Sequence, residues 1–234
     1  MYCFRYNWRN PITNKCIKGG IGILEERTIT YDFTNKTELL KKLQSYANTP
    51  DSDNIHFKEI IKDKLLHCPE LLYAIHNPDL EDQLFDKRGN LLIDGEWSLY
   101  FGDNSNIRPR VFIPQTQDSP NCYVCYKTGF DELMKYTSIE KEEQITFIVL
   151  VHGEDITDEL TGIPRHDLIA AILTSEFNHS NAFGKQCVLV SDQEGYTDNN
   201  YVTRTLVFQL QTPNGIVQTQ NGKTGYINRS RIRK

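Results

Sequence analysis

One apolar run constrains this sequence more than any other feature. Residues 145–151 read Ile-Thr-Phe-Ile-Val-Leu-Val, a stretch rich in β-branched and aromatic side chains. Such a run is typical of a strand that is covered on both faces, because a strand with one solvated face alternates apolar and polar residues. We therefore predict that these residues form the central strand of a sheet.

Helical and strand patterns flank this run. Apolar residues recur at helical spacing in residues 36–47, 57–65, 70–76 and 164–177. Residues 202–210 alternate apolar and polar side chains, and Asn-Gly pairs follow at residues 214–215 and 221–222. The sequence therefore predicts an α+β fold with a mixed or antiparallel sheet, three to four helices and a C-terminal three-stranded β-meander.

Turn signals predict two hairpins and a boundary. Asp94-Gly95 lies between two apolar runs and predicts a hairpin over residues 91–101, and a second hairpin with a long connection is expected near the N-terminus. A polar segment between Pro114 and Pro120 separates an N-terminal α+β half, residues 1–114, from a strand-helix-meander half, residues 121–234. One continuous domain is the alternative.

Charge and composition bear on the class of protein. The net charge of −5 argues against a general binder of nucleic-acid backbones, which usually carries excess Lys and Arg. The sequence shows neither the apolar run and cleavage site of a signal peptide nor an apolar stretch long enough to span a membrane. We expect a soluble cytoplasmic protein, without a membrane partner, whose six cysteines are reduced thiols.

A Cys-x-x-Cys pair is the first candidate for a chemical site. Cys122 and Cys125 are spaced closely enough to bind one Zn²⁺ ion, with His152 as a third ligand. Cys3 and Cys16 are alternative partners. If the pair lies in a strand, however, residues three apart point to opposite faces, which works against shared ligation.

A His-x-Glu motif follows the predicted central strand. His152 and Glu154, taken with the two cysteines, resemble the ligands and the proton-shuttling Glu of zinc nucleobase deaminases, although their order along the chain is reversed. This resemblance implies that His152 and Glu154 are catalytic. With Asp155, they also form a polar group at a strand end, where open α/β sheets bind ligands.

Two further charged segments are candidates. His166 and Asp167, at the start of the last predicted helix, could form a general base oriented by a carboxylate, but adjacent helical side chains do not face each other. The C-terminal residues concentrate positive charge around one aromatic ring, and the predicted partner-binding residues there are Lys223, Tyr226, Arg229, Arg231 and Arg233.

These observations leave three hypotheses for function. The first is an interaction protein, such as an inhibitor, an immunity-type protein or an accessory factor, that binds a protein partner; the acidic charge and the lack of a complete catalytic constellation favour it. The second is a hydrolase or zinc-dependent deaminase-like enzyme that acts on a nucleotide-like ligand. The third is nucleic-acid binding through the basic C-terminus.

Overall fold

The structure of the 234-residue chain is a computed structural model. It describes residues 14–15, 28–29, 35–46, 53–92, 95–111, 121–130, 140–197, 200–213, 216–218 and 224–226. The chain divides into two compact units, Met1–Ser52 and Asp53–Lys234. None of the helices in these ranges is both long enough and apolar enough to span a membrane.

The first unit contains one helix and one pair of short strands. Strand β1 (Asn14–Lys15) pairs antiparallel with β2 (Thr28–Ile29), while the first strand predicted near the N-terminus lies outside the described residues. Helix α1 (Lys36–Tyr46) begins as predicted, because the backbone N–H of Glu38 donates a 3.0 Å hydrogen bond to the Asn35 side chain.

The second unit is built on a five-stranded sheet. Its strands are β3 (Ile107–Arg108), β4 (Cys122–Phe130), β5 (Glu140–His152), β6 (Val188–Tyr196) and β7 (Tyr201–Pro213). Their order in the sheet is β3-β4-β5-β7-β6, with β3 parallel to β4 and every other pair antiparallel. The apolar run in β5 is therefore the central strand, and the predicted α+β class is confirmed.

Three helices cover one face of this sheet. They are α2 (Asp53–Leu66), α3 (Pro69–Ala74) and α4 (Arg165–Phe177). The core between helices and sheet centres on Phe147 of β5, whose ring centroid lies 4.8 Å from that of Phe177 in α4 and 5.8 Å from that of Phe208 in β7. Aromatic contacts at these separations add to the free energy of burial.

The opposite face of the sheet carries a smaller apolar cluster. Tyr123, Cys125, Leu150 and Tyr201 are buried there together. The guanidinium of Arg108 lies 4.6 Å from the centroid of the Tyr123 ring. Successive residues of β5 alternate between the two clusters, so this strand is buried on both faces, as its sequence predicts.

The hairpin predicted over residues 91–101 and the predicted C-terminal meander can be compared with the structure. The hairpin predicted over residues 91–101 is wrong, because Trp97–Tyr100 forms a 3-10 helix. The indole N–H of Trp97 donates a 3.1 Å hydrogen bond to the carbonyl of Gln83, and Gly95 leaves room for this ring. Of the predicted C-terminal meander, β8 (Ile216–Gln218) pairs antiparallel with β9 (Thr224–Tyr226), while β7 is flanked by β5 and β6.

Buried side chains from both sides of the boundary predicted near residues 115–120 belong to one cluster. Leu72 of α3 precedes this segment, and Phe147 of β5 and Leu173 of α4 follow it. The division into halves 1–114 and 121–234, or one continuous domain, stays a prediction.

Truncating Phe147 tests whether this cluster holds the second unit together. We expect Phe147→Ala to lower the free energy of unfolding by about 3–5 kcal/mol, because it removes buried surface and leaves a cavity that rigid neighbours cannot fill. Phe147→Leu, which keeps most of the volume, should cost less. Urea denaturation measures both, and a loss below about 1 kcal/mol for the alanine variant would contradict this packing.

Candidate functional site

Charged side chains gather where the first turn of α4 lies beside β6 and β7. We call this group the His166 cluster, and its members are His166, Asp167, Asp192, Glu194 and Arg204. Two of them, Asp192 and Glu194, stand two residues apart in β6, so their side chains point to one face. Arg204 of β7 is the register partner of Glu194. Strand pairing therefore brings these charges to the helix.

Arg204 is held at the centre of the cluster. Its guanidinium donates to both oxygens of Asp192, at 2.6 and 2.9 Å, and to Oδ1 of Asp167 at 3.1 Å. The hydrogen bonds with Asp192 raise the pKa of Arg204 above its ordinary value, so the guanidinium stays charged. A bidentate pair of this kind fixes both side chains in one geometry.

His166 is the buried member of the cluster. Its side chain is only 5% exposed, and its Nε2 lies 3.6 Å from Oδ1 of Asp167 and 3.8 Å from Oε1 of Glu194. These separations are too long for hydrogen bonds, and the buried Nδ1 has no hydrogen-bond partner among the described residues. One ligand atom from each of His166, Asp167 and Glu194 can be chosen so that all three lie within 4.8 Å of one another.

A cavity of about 660 Å³ opens beside the cluster. Its walls include Asp167, Asp192 and Arg204 from the cluster, and Ala170, Ala171, Thr174 and Ser175 from α4. The lining combines a fixed positive charge with carboxylates and small side chains. Three of the five cluster members therefore border this cavity.

The neighbouring Arg165 forms a separate, structural group. Its side chain is 3% exposed and donates to the carbonyl of Ala74 at 3.0 Å and to Oδ1 of Asp155 at 3.2 Å. The same Asp155 oxygen lies 3.0 Å from Nδ1 of His76. Asp155, predicted to belong to a polar site at the strand end, thus joins α3, the end of β5 and α4.

The two predicted cysteine ligands do not come together. In β4, Cys122 belongs to the core under the helices and Cys125 to the cluster on the opposite face, as the alternation of a strand requires. Burial raises the pKa of the Cys122 thiol well above its ordinary value, which keeps the sulfur protonated. The two thiols therefore lie on opposite faces of the sheet, and the zinc site predicted from Cys122, Cys125 and His152 stays a prediction. Cys3 and Cys16 lie outside the described residues.

The predicted catalytic pair does share one location. His152 ends β5, and its Nδ1 accepts a 3.4 Å hydrogen bond from the backbone N–H of Glu154. Both residues line a cavity of about 300 Å³ with Tyr196, Asn200 and Tyr201. Their catalytic role stays a prediction.

The predicted C-terminal interface is outside the described part of the chain for the most part. Lys223, Arg229, Arg231 and Arg233 are not described, and Tyr226 is described only as a backbone position in β9. Partner binding by these residues stays a prediction.

The sequence indicates two of the five members of the His166 cluster. These are His166 and Asp167, although neighbouring helical residues do not face each other. Asp192, Glu194 and Arg204 were missed, since their approach to α4 depends on the pairing of β6 with β7. The available signal was the alternation of Asp192 and Glu194 within an otherwise strand-like segment.

Replacing Thr161 tests the electrostatics at the turn before α4. The Thr161 hydroxyl, which donates a 2.6 Å hydrogen bond, and then the Thr161 backbone N–H lower the pKa of Asp158 below its ordinary value of 3.8. This stabilisation is present above the unfolded-state pKa and is lost as the pH falls through the folded-state pKa.

Thr161→Val should therefore lower the free energy of unfolding by about 1 kcal/mol at pH 7, and by less once the pH falls through the lowered pKa of Asp158. Thermal denaturation against pH measures the difference, with Thr205→Val as the same substitution within β7. A difference from the parent that does not depend on pH would contradict the assignment.

Comparison with known proteins gives one result. Residues 64–210 match the family model described as YomW, and this match covers more than half of the chain. It includes α3, α4, the five-stranded sheet up to residue 210, and every residue of the His166 cluster. No curated protein matches the chain.

Proposed function

We propose that this chain, which belongs to the YomW family, is an interaction protein that binds an extended segment of a partner protein along the outer edge of β6. The observation that carries the proposal is the position of β6, a nine-residue strand at one end of the sheet order. In an edge strand, every second residue directs its backbone N–H and C=O away from the sheet. These groups are a template for an added strand.

The two edge strands of the sheet differ in length, and therefore in how many backbone hydrogen bonds they can offer to an added strand. At the other edge, β3 has only two residues, so it cannot support a ladder of useful length. Within β6 the pairing is irregular between Leu189 and Ser191, and the backbone N–H of Leu189 already donates to the Asn178 side chain at 3.0 Å. The segment best suited to strand addition is therefore residues 191–196.

Exposed side chains add specificity to this edge. Val190 and Tyr196 are 50% and 85% exposed, which is unusual for large side chains on a regular strand. Glu194 presents a carboxylate that is 58% exposed. The edge therefore favours an extended segment that carries apolar residues and Lys or Arg. Whether such a partner is inhibited, neutralised or assisted is a finer prediction from the sequence.

A peptide selection tests this proposal. A phage-displayed library of short random peptides is selected on the full chain, and the affinity of the enriched peptides is measured by fluorescence anisotropy. We expect peptides with apolar and basic residues, and we expect Tyr196→Ala and Val190→Lys each to weaken their binding about tenfold, or by about 1.4 kcal/mol.

The matched control is Leu160→Ala, because Leu160 is 76% exposed in a turn outside the sheet. It should leave the affinity of the peptides unchanged. Peptides whose binding is insensitive to both β6 variants would show that another surface is used, and the proposal would be wrong.

The two alternatives from the sequence stay predictions. A hydrolase or deaminase-like activity would use His152 and Glu154, which share the smaller cavity, while Cys122 and Cys125 lie on opposite faces of the sheet. Nucleic-acid binding would use the C-terminal basic residues, for which the structure describes no side chains.

A further inference from the structure

We propose that the His166 cluster binds a divalent transition-metal ion such as Zn²⁺. The ligands are Nε2 of His166, a carboxylate oxygen of Asp167 and a carboxylate oxygen of Glu194. This site differs from the cysteine site predicted from the sequence. It shares Glu194 with the edge of β6 proposed for strand addition, but its other two ligands, His166 and Asp167, belong to α4.

The distances between the three donors match a coordination shell. Ligand atoms bound tetrahedrally to Zn²⁺ at about 2.0–2.1 Å lie about 3.4 Å apart. Nε2 of His166 lies 3.6 Å from the Asp167 oxygen and 3.8 Å from the Glu194 oxygen. These separations are too long for direct hydrogen bonds, yet they contract to ligand spacing by a small movement of exposed carboxylates.

The imidazole of His166 is an independent indication. It is 95% buried, and neither of its nitrogens has a hydrogen bond to any residue in the described ranges. Buried polar groups in native proteins almost always have a partner, and each exception calls for an explanation. A metal ion would supply a partner for Nε2, the nitrogen that faces the two carboxylates, while Nδ1 has no partner among the described residues.

The charges of the cluster also favour a dication. Asp167, Asp192 and Glu194 contribute three negative charges and Arg204 one positive charge, which leaves two negative charges uncompensated when His166 is neutral. A divalent ion therefore neutralises the group. Such clustered like charges otherwise repel one another.

Arg204 contacts two of the proposed ligands, Asp167 at 3.1 Å and Glu194 at 3.6 Å. Its bidentate contact with Asp192 removes that carboxylate from the ligand set. In Glu194, Oε2 lies 3.6 Å from Arg204 while Oε1 faces His166, so the two oxygens have separate partners. Contacts of this kind orient metal ligands and commonly change metal affinity by about 10–100-fold when removed.

The donor set indicates the class of metal. One imidazole nitrogen with two carboxylate oxygens suits Zn²⁺, Co²⁺ or Mn²⁺ better than Mg²⁺ or Ca²⁺, which prefer oxygen donors alone. Three protein ligands leave a coordination position for water. Of the three ligands, Asp167 also lines the cavity of about 660 Å³ beside the cluster.

Calorimetric titration of the full chain with ZnCl₂ tests the site. We expect one binding event that is weakened at least about tenfold by His166→Gln and by Glu194→Gln, since each removes one of three ligands. Glu194 is exposed, so its variant should fold even if the His166 variant is destabilised, and circular dichroism checks both.

Two control variants separate this site from other binding. His67→Gln alters an exposed histidine that lies 3.3 Å from Asp63 but has no third ligand, and Cys122→Ser alters the ligand predicted from the sequence. Both should bind Zn²⁺ as the parent does. The proposal is overturned if the parent binds no Zn²⁺, if folded Glu194→Gln binds it unchanged, or if Cys122→Ser is the variant that loses it.

Discussion

The second unit depends on the burial of β5 from both sides. Its odd-numbered residues, such as Ile145 and Phe147, pack under the helices, and Leu150 packs in the cluster on the opposite face. Its backbone is paired along its length with β4 and β7. A strand that is enclosed in this way lies at the centre of its sheet, and among the described strands β6 lies at one end of the order.

The edge strand β6 carries charged side chains, in contrast to the buried apolar run of β5 at the centre of the sheet. On β6, nearly every residue is exposed or half-buried, and the side chains that face α4 are charged. The helix supplies His166 and Asp167 at its start, because Pro164 ends the preceding extended segment there. One edge strand therefore carries the backbone edge that we propose for partner binding and two carboxylates of the His166 cluster.

The sequence predicts well what local periodicity controls. The β5 run, α4 and the alternation of β7 were all foreseen, since each reflects burial of one or two faces of a single element. The Asp94-Gly95 hairpin failed because Trp97 packs on Gln83, a tertiary contact that turn preferences do not contain. In the His166 cluster, the sequence indicates only His166 and Asp167, because Arg204 and Glu194 approach α4 through strand pairing. The placement of Cys122 and Cys125 on opposite faces, in contrast, follows from the sequence, because residues three apart in a strand point to opposite faces.

Hydrogen exchange of individual amides, followed by NMR on the free protein, tests most directly whether β6 is an open edge. In this account, amides throughout β5 exchange slowest, while in residues 191–196 protected amides alternate with amides that exchange rapidly. Uniform protection along residues 191–196 would mean that another segment already occupies the edge, and it would contradict the central claim.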